Sequence, residues 1–185
     1  MTALDDLFSG DDERAQQALE RITPEDGPAL RAALRDREPD RRIWSAIALA
    51  RLPDDESLRA LLTAAADPDP DVRAAVLHAL GLRRAPEAVT PLLFALSASS
   101  PHFARLVGDA LIQVGPPAVP ALIAALEREV APLVRIQLAR ALALISDTRA
   151  IPALFRALDD ESAIVQHWAE EGLERMGVGQ VYFRP

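Results

Sequence analysis

The chain has 185 residues, half of them apolar and only eight aromatic, with a formal net charge of −8. All 20 basic residues are Arg, and Lys, Asn and Cys are absent. That inventory excludes Schiff-base lysine chemistry, thiol nucleophiles, disulfides and cysteine metal sites, while the acidic balance opposes broad contact with phosphate backbones.

From the N-terminus onward, one spacing governs the chain. Ala48, Ala79, Ala110, Ala141 and Gly172 recur every 31 residues, and each precedes a leucine: Leu49, Leu80, Leu111, Leu142 and Leu173. A fixed period of this size means stacked supersecondary units rather than one globular core. The core must be built from Ala, Leu, Val and Ile, which favour helix and let helices approach closely. Met1-Thr2-Ala3-Leu4-Asp5-Asp6 has acids where a signal peptide needs a basic and then an apolar segment, so nothing points to export and a cytoplasmic chain is expected. No stretch approaches ~18 uncharged apolar residues, so no membrane span is expected.

Each unit reads as two helices. First helices are predicted near 2–9, 25–35, 55–66, 86–97, 116–128 and 148–158; second helices, several of them bearing arginine, near 11–22, 40–52, 70–82, 101–114, 131–145 and 161–176. Residues 1–22 form an N-terminal capping unit: Ala18-Leu19 lies 30 rather than 31 residues before Ala48-Leu49, and Asp5, Asp6, Asp11, Asp12 and Glu13 give the polarity expected of an end. In the third unit Val72, Val76, Ala79 and Leu80 form an apolar stripe at helical spacing, answered by Ala88, Leu92, Ala95 and Leu96. Asp69 and Ser100 are N-caps, the latter with proline at the first helical position. Acidic runs at 54–56 and 159–161 fall in turns, where capping and the helix dipole account for them. Gly177 stops the last helix, and residues 177–185 are a tail that covers the open end or docks a partner.

Asp69-Pro70-Asp71-Val72-Arg73, continuing to Ala79-Leu80-Gly81 and Ala88-Val89, resembles the HEAT-like repeats of phycobilisome lyases and many bacterial proteins. Arg42, Arg135, Ala118-Val119-Pro120 and Ala150-Ile151-Pro152 stand at the same slots. The resemblance implies an all-α fold, a right-handed α-solenoid of about six HEAT-like helical hairpins forming one domain over 1–185. It implies that second helices line the concave face, and that Arg42, Arg73 and Arg135 pair with the aspartate of the preceding turn in a stabilising ladder. Ala104 and Gln166 replace that arginine in two units.

Carried onto this chain, the concave face has two rows. One is Ile47, His78, Asp109, Arg140 and Glu171; the other is Ile43, Ala74, Arg105, Ile136 and His167. Two readings stand: a recognition strip, apolar at Ile43 and Ile47 and charged from Arg105 onward, or a solvated face on which Asp109, Arg140 and Glu171 ladder between repeats. The strip is preferred, because a solenoid's concave surface is its usual binding surface. On that reading, reversing Asp109 and Arg140 abolishes binding without unfolding the chain.

Enzyme activity is not expected. His78 and His167 lie three repeats apart, roughly 25 Å at ~8–10 Å per helix layer, beyond the reach of one ion. His102 opens a helix, and the paired His-Glu dipeptides of the HEAT-like deoxyhypusine hydroxylases are missing. HEAT-like DNA glycosylases use a basic groove with Trp and Asp; this chain is acidic, and Trp44 and Trp168 stand at the edge of the apolar stripe, where packing accounts for them better than base stacking. The expected function is a non-enzymatic scaffold that binds a protein or peptide, with no cofactor, metal, nucleic acid or membrane. The alternative is an accessory subunit of an enzyme complex of bilin-lyase type.

Overall fold

Prolines 31 residues apart, Pro39, Pro70, Pro101 and Pro132, each occupy the first position of a helix. Their fixed φ suits that position and their missing N–H removes a donor that would have no partner there. The computed structural model describes residues 2–97 and 100–178, and these form twelve α-helices and no strand. They fall into two compact units, Met1–Arg83 and Arg84–Pro185, each holding three helical hairpins.

In the first unit the hairpins are α1 (Ala3–Leu7) with α2 (Asp12–Ala18), α3 (Gly27–Ala33) with α4 (Pro39–Leu49), and α5 (Asp55–Ala64) with α6 (Pro70–Leu82). In the second they are α7 (Val89–Ser97) with α8 (Pro101–Val114), α9 (Val119–Leu126) with α10 (Pro132–Ile145), and α11 (Ile151–Ala157) with α12 (Ala163–Arg175). Helices α3, α7, α9 and α11 start later than the sequence suggests, because a 3₁₀ turn precedes each. Within the units, α4 packs against α6, and α10 packs against both α8 and α12. From residue 179 onward, the tail expected at 177–185 lies outside the described residues; Gly177 ends α12 at φ +77°, and the Val178 amide bonds the Leu173 carbonyl.

The 31-residue register is the register of burial. Ala48, Ala79, Ala110 and Ala141, the leucine after each, and Leu30, Leu61, Leu92, Leu122 and Leu154 are all enclosed. Burying each leucine contributes roughly 1.5–3 kcal/mol. Gly172 stands where the other units have alanine because α12 presses on α10: a Cβ there would meet the Ala143 Cα at 2.9 Å.

Neighbouring hairpins are tied by arginine, in a direction opposite to that expected. Arg42 bonds Asp67, in the turn of the following hairpin, through both Nε (2.9 Å) and Nη2 (3.0 Å), and Arg135 pairs with Asp160 of its own following hairpin through Nη2. Toward its own preceding turn Arg42 offers Nη1 to the Asp36 carbonyl, 2.9 Å away, rather than to a carboxylate. Arg73 bonds the Asp67 carbonyl in the same way, and Gln166 the Asp160 carbonyl. Asp160 is therefore an enclosed tie rather than a simple cap.

Other acids serve locally. Asp54 caps α5: burial acts to raise its carboxyl pKa, but bonds from the Ser57 hydroxyl and amide outweigh it and hold the pKa below the usual value. Arg21 and Arg14 grip the two oxygens of Asp6 and lower its pKa, closing the first hairpin. Arg149 grips Asp147 and brings its carboxyl down to about 2.

Candidate functional site

Residues 31 apart do adjoin on neighbouring second helices. In the second unit Arg140 Nη2 donates to Asp109 Oδ1 at 2.5 Å; in the first, Arg51 donates to Glu20 at 3.0 Å between the segments that follow α4 and α2. The contact of Asp109 with Arg140 joins two neighbouring members of one row inferred from the sequence, inside the second unit.

Of the residues inferred for the face, Ile43, Ile47 and His78 lie in the first unit. The two isoleucines are half-buried on α4, beside half-buried Trp44, and His78 is exposed on α6. The second unit's share lies on α8, α10 and α12. Arg105 and His167 are exposed there, while Asp109, Ile136 and Glu171 are half-buried. Glu171 bonds Arg175 one turn along its own helix, and the rings of His167 and Trp168 lie 5.5 Å apart.

Arg140 departs from its expected role. It is only 8% exposed, so it is not a surface contact. Its guanidinium is held by Asp109, by Gln137 Oε1 at 3.4 Å, and by the Trp168 ring, whose centroid is 5.9 Å away. Gly108 makes room for this cluster, since a Cβ there would lie 2.7 Å from Gln137 Oε1. Asp109 keeps 44% of its side chain exposed. Arg140 is therefore a ladder residue that orients Asp109, and reversing both charges would disturb the packing of α8, α10 and α12. Gln137 and Trp168, which the rows left out, complete the cluster; their 31-residue spacing was the available signal.

The metal-ligating residue types are dispersed among the described residues. No three His, Asp or Glu side chains are placed to hold a metal, and His78, His102 and His167 are all exposed. No single described helix is long and apolar enough to cross a membrane.

A family model for HEAT repeats matches residues 27–106 and 89–174. The chain belongs to the HEAT-repeat family. No curated protein matches it. Among solved structures, this HEAT-repeat chain is similar to an engineered protein at 19% identity and TM-score 0.50, with 96% of each chain covered. It is also similar to human deoxyhypusine hydroxylase in complex with glycerol, at 21% identity and TM-score 0.48, over 95% of this chain and 83% of that one. A designed armadillo repeat protein matches at 17% identity and TM-score 0.48, over 94% and 98%. The HEAT-repeat match and the twelve helices among the described residues make the fold an all-α solenoid, and none of the three structures carries a function over.

Proposed function

We propose that this HEAT-repeat chain is a non-enzymatic, cytoplasmic interaction module that binds a partner protein or peptide through the exposed face of its second helices. The observation that carries this reading is the direct contact of Asp109 with Arg140. On this reading the contact holds α8 and α10 in register, and Arg105, Asp109, Ile136, His167 and Glu171, all exposed or half-buried, are the second unit's contact residues. Regularly spaced side chains on adjoining helices suit a partner that meets several helices at once, with charge pairs setting its register more than its affinity. Ile43, Ile47 and His78 are the corresponding contact of the first unit, an apolar anchor with one polar neighbour. Arg140 leaves the contact set and becomes the group that positions Asp109.

The phycobilisome-lyase character of the repeats, and with it an accessory role in a bilin-lyase complex, rests on the motif resemblance alone.

The test is affinity capture from a lysate of the source organism, comparing the parent with an Arg105→Glu/Glu171→Arg variant. Both changes fall outside the core, so folding is expected to be unaffected. Specific proteins retained by the parent and lost from the variant support the reading. Equal capture by both places the contact on another face.

A further inference from the structure

Each unit carries a groove between two of its first helices, open in one unit and bridged in the other. In the first unit it lies between α3 and α5, has a volume of 370 Å³, and is lined by Leu34, Arg35, Ala60, Thr63 and Ala64 above the buried Arg42–Asp67 tie. In the second it lies between α9 and α11, has a volume of 240 Å³, and is lined at matching stations by Leu126, Glu127, Ala153, Arg156 and Ala157 above Arg135–Asp160. Only the first falls within the ~300–1,000 Å³ typical of ligand clefts.

The difference comes from one pair of stations. Glu127 and Arg156 form an ion pair across the second groove. Arg35 stands at the station of Glu127, but Thr63 stands at that of Arg156, and the Thr63 hydroxyl is turned back to the Arg59 carbonyl of its own helix. Among the described residues the other acids and bases at the first groove are already matched: Asp67 with Arg42, Asp36 with Arg41, and Arg31 with Asp54 and Glu56. Arg35 has no ion pair among them. The open groove thus has small apolar walls, a neutralised floor and one unmatched guanidinium on its rim, in a chain of net charge −8.

We propose that this groove is a second docking site, separate from the second-helix face, and that it takes an acidic peptide segment. A glutamate or aspartate of the partner pairs with Arg35, supplying across the groove the carboxylate that Glu127 supplies within the second unit. Small or aliphatic neighbours of that acid lie on Leu34, Ala60 and Ala64. An exposed guanidinium with an empty counterpart station favours a carboxylate and disfavours a cation of the same size.

The test titrates the isotope-labelled full chain with a blocked six-residue peptide of alanine and leucine carrying two glutamates, and with its lysine counterpart, while following assigned amide resonances. The glutamate peptide is expected to shift the amides of Leu34, Thr63, Ala64 and Ala66, with the lysine peptide leaving them in place. Arg35→Glu is expected to weaken binding roughly fivefold or more, the size of losing and then opposing one exposed charge pair. Thr63→Glu, which builds the missing bridge internally, blocks the site, while Thr63→Gln leaves binding within about twofold of the parent. Equal shifts from both peptides, shifts confined to the second-helix face, no shifts at all, or unchanged affinity in Arg35→Glu would overturn the proposal.

Discussion

Helices α4 and α10 occupy the same station in their respective units, and they solve the same packing problem with different chemistry. Their cores match, since Leu49 and Leu142 are both fully enclosed. Their faces do not. Where α4 presents Ile43, Trp44 and Ile47, α10 presents Ile136, Gln137 and Arg140, and the last of these is buried against Asp109 and Trp168. Gln17, one residue before Ala18, stands in the first unit where Asp109 stands before Ala110. A repeat therefore fixes where a side chain points and leaves its polarity free. A charge placed at an enclosed station then requires its own bonds.

The largest expected effects test the shared half of this comparison. Leu49→Ala and Leu142→Ala should each lose about 2–5 kcal/mol in urea denaturation followed by circular dichroism, because each removes the same buried methyl groups and leaves a cavity. Leu19→Ala, at the terminal hairpin, should lose less. Equal losses at Leu19 and Leu49 would contradict a stack of hairpins in which the first has a neighbour on one side only.

The differing half is tested at the charge pair. Asp109→Ala leaves the buried Arg140 guanidinium without its carboxylate and should lose about 2–3 kcal/mol. Arg140→Ala leaves behind a half-exposed carboxylate that water can solvate, and should lose about 1–2 kcal/mol. Truncating the more exposed partner is thus the more damaging change. Converting the pair to the chemistry of the first unit, Asp109→Gln with Arg140→Ile, should return stability to within about 1 kcal/mol of the parent, since a buried ion pair and a well-packed apolar side chain are near equivalents. A double variant no better than Asp109→Ala would show that the α10 face is not interchangeable with that of α4.

Two smaller effects refine the contrast. Gly172→Ala restores the alanine of the other units at a position where a Cβ meets Ala143 backbone at 2.9 Å, so it should lose about 1–3 kcal/mol through overpacking. The Asp147 carboxyl, lowered to about 2 by its Arg149 bonds, contributes stability that is fully present above the ordinary aspartate value of about 3.9 and lost as pH falls through about 2. Asp147→Asn should therefore lower stability in urea denaturation slightly at pH 6, by less than ~1 kcal/mol for so exposed a pair, and the difference should shrink as pH falls through about 2.

The stack was legible in the sequence because burial and spacing obey one rule: every small residue and leucine in the 31-residue register is enclosed. The adjacency of Asp109 and Arg140 was legible for the same reason. The burial of Arg140 was not, because it depends on what three other residues do in space: Gly108 leaving room, Gln137 turning in and Trp168 covering the guanidinium. The partner of Arg42 was misplaced for a related reason. Its nearest aspartate along the chain is Asp40, and the one it binds is 25 residues downstream. The difference between Arg35 and Glu127 was equally hidden, since only the fold brings Thr63 and Arg156 opposite them.

The arginine tie has a consequence for how such a chain can lengthen. Arg42 reaches forward to Asp67, and Arg135 reaches forward to Asp160 over the same sequence interval. A duplicated block running from residue 43 to residue 73 would carry its own Asp67 and its own Arg73. The original Arg42 would keep its mate. Arg73, which bonds the carbonyls of Asp67 and Pro68 and no carboxylate among the described residues, would find an aspartate waiting in the copy. Each inserted block is thus born with a half-clasp at either end, and a gene that stutters by one period yields a protein whose new hairpin is already fastened.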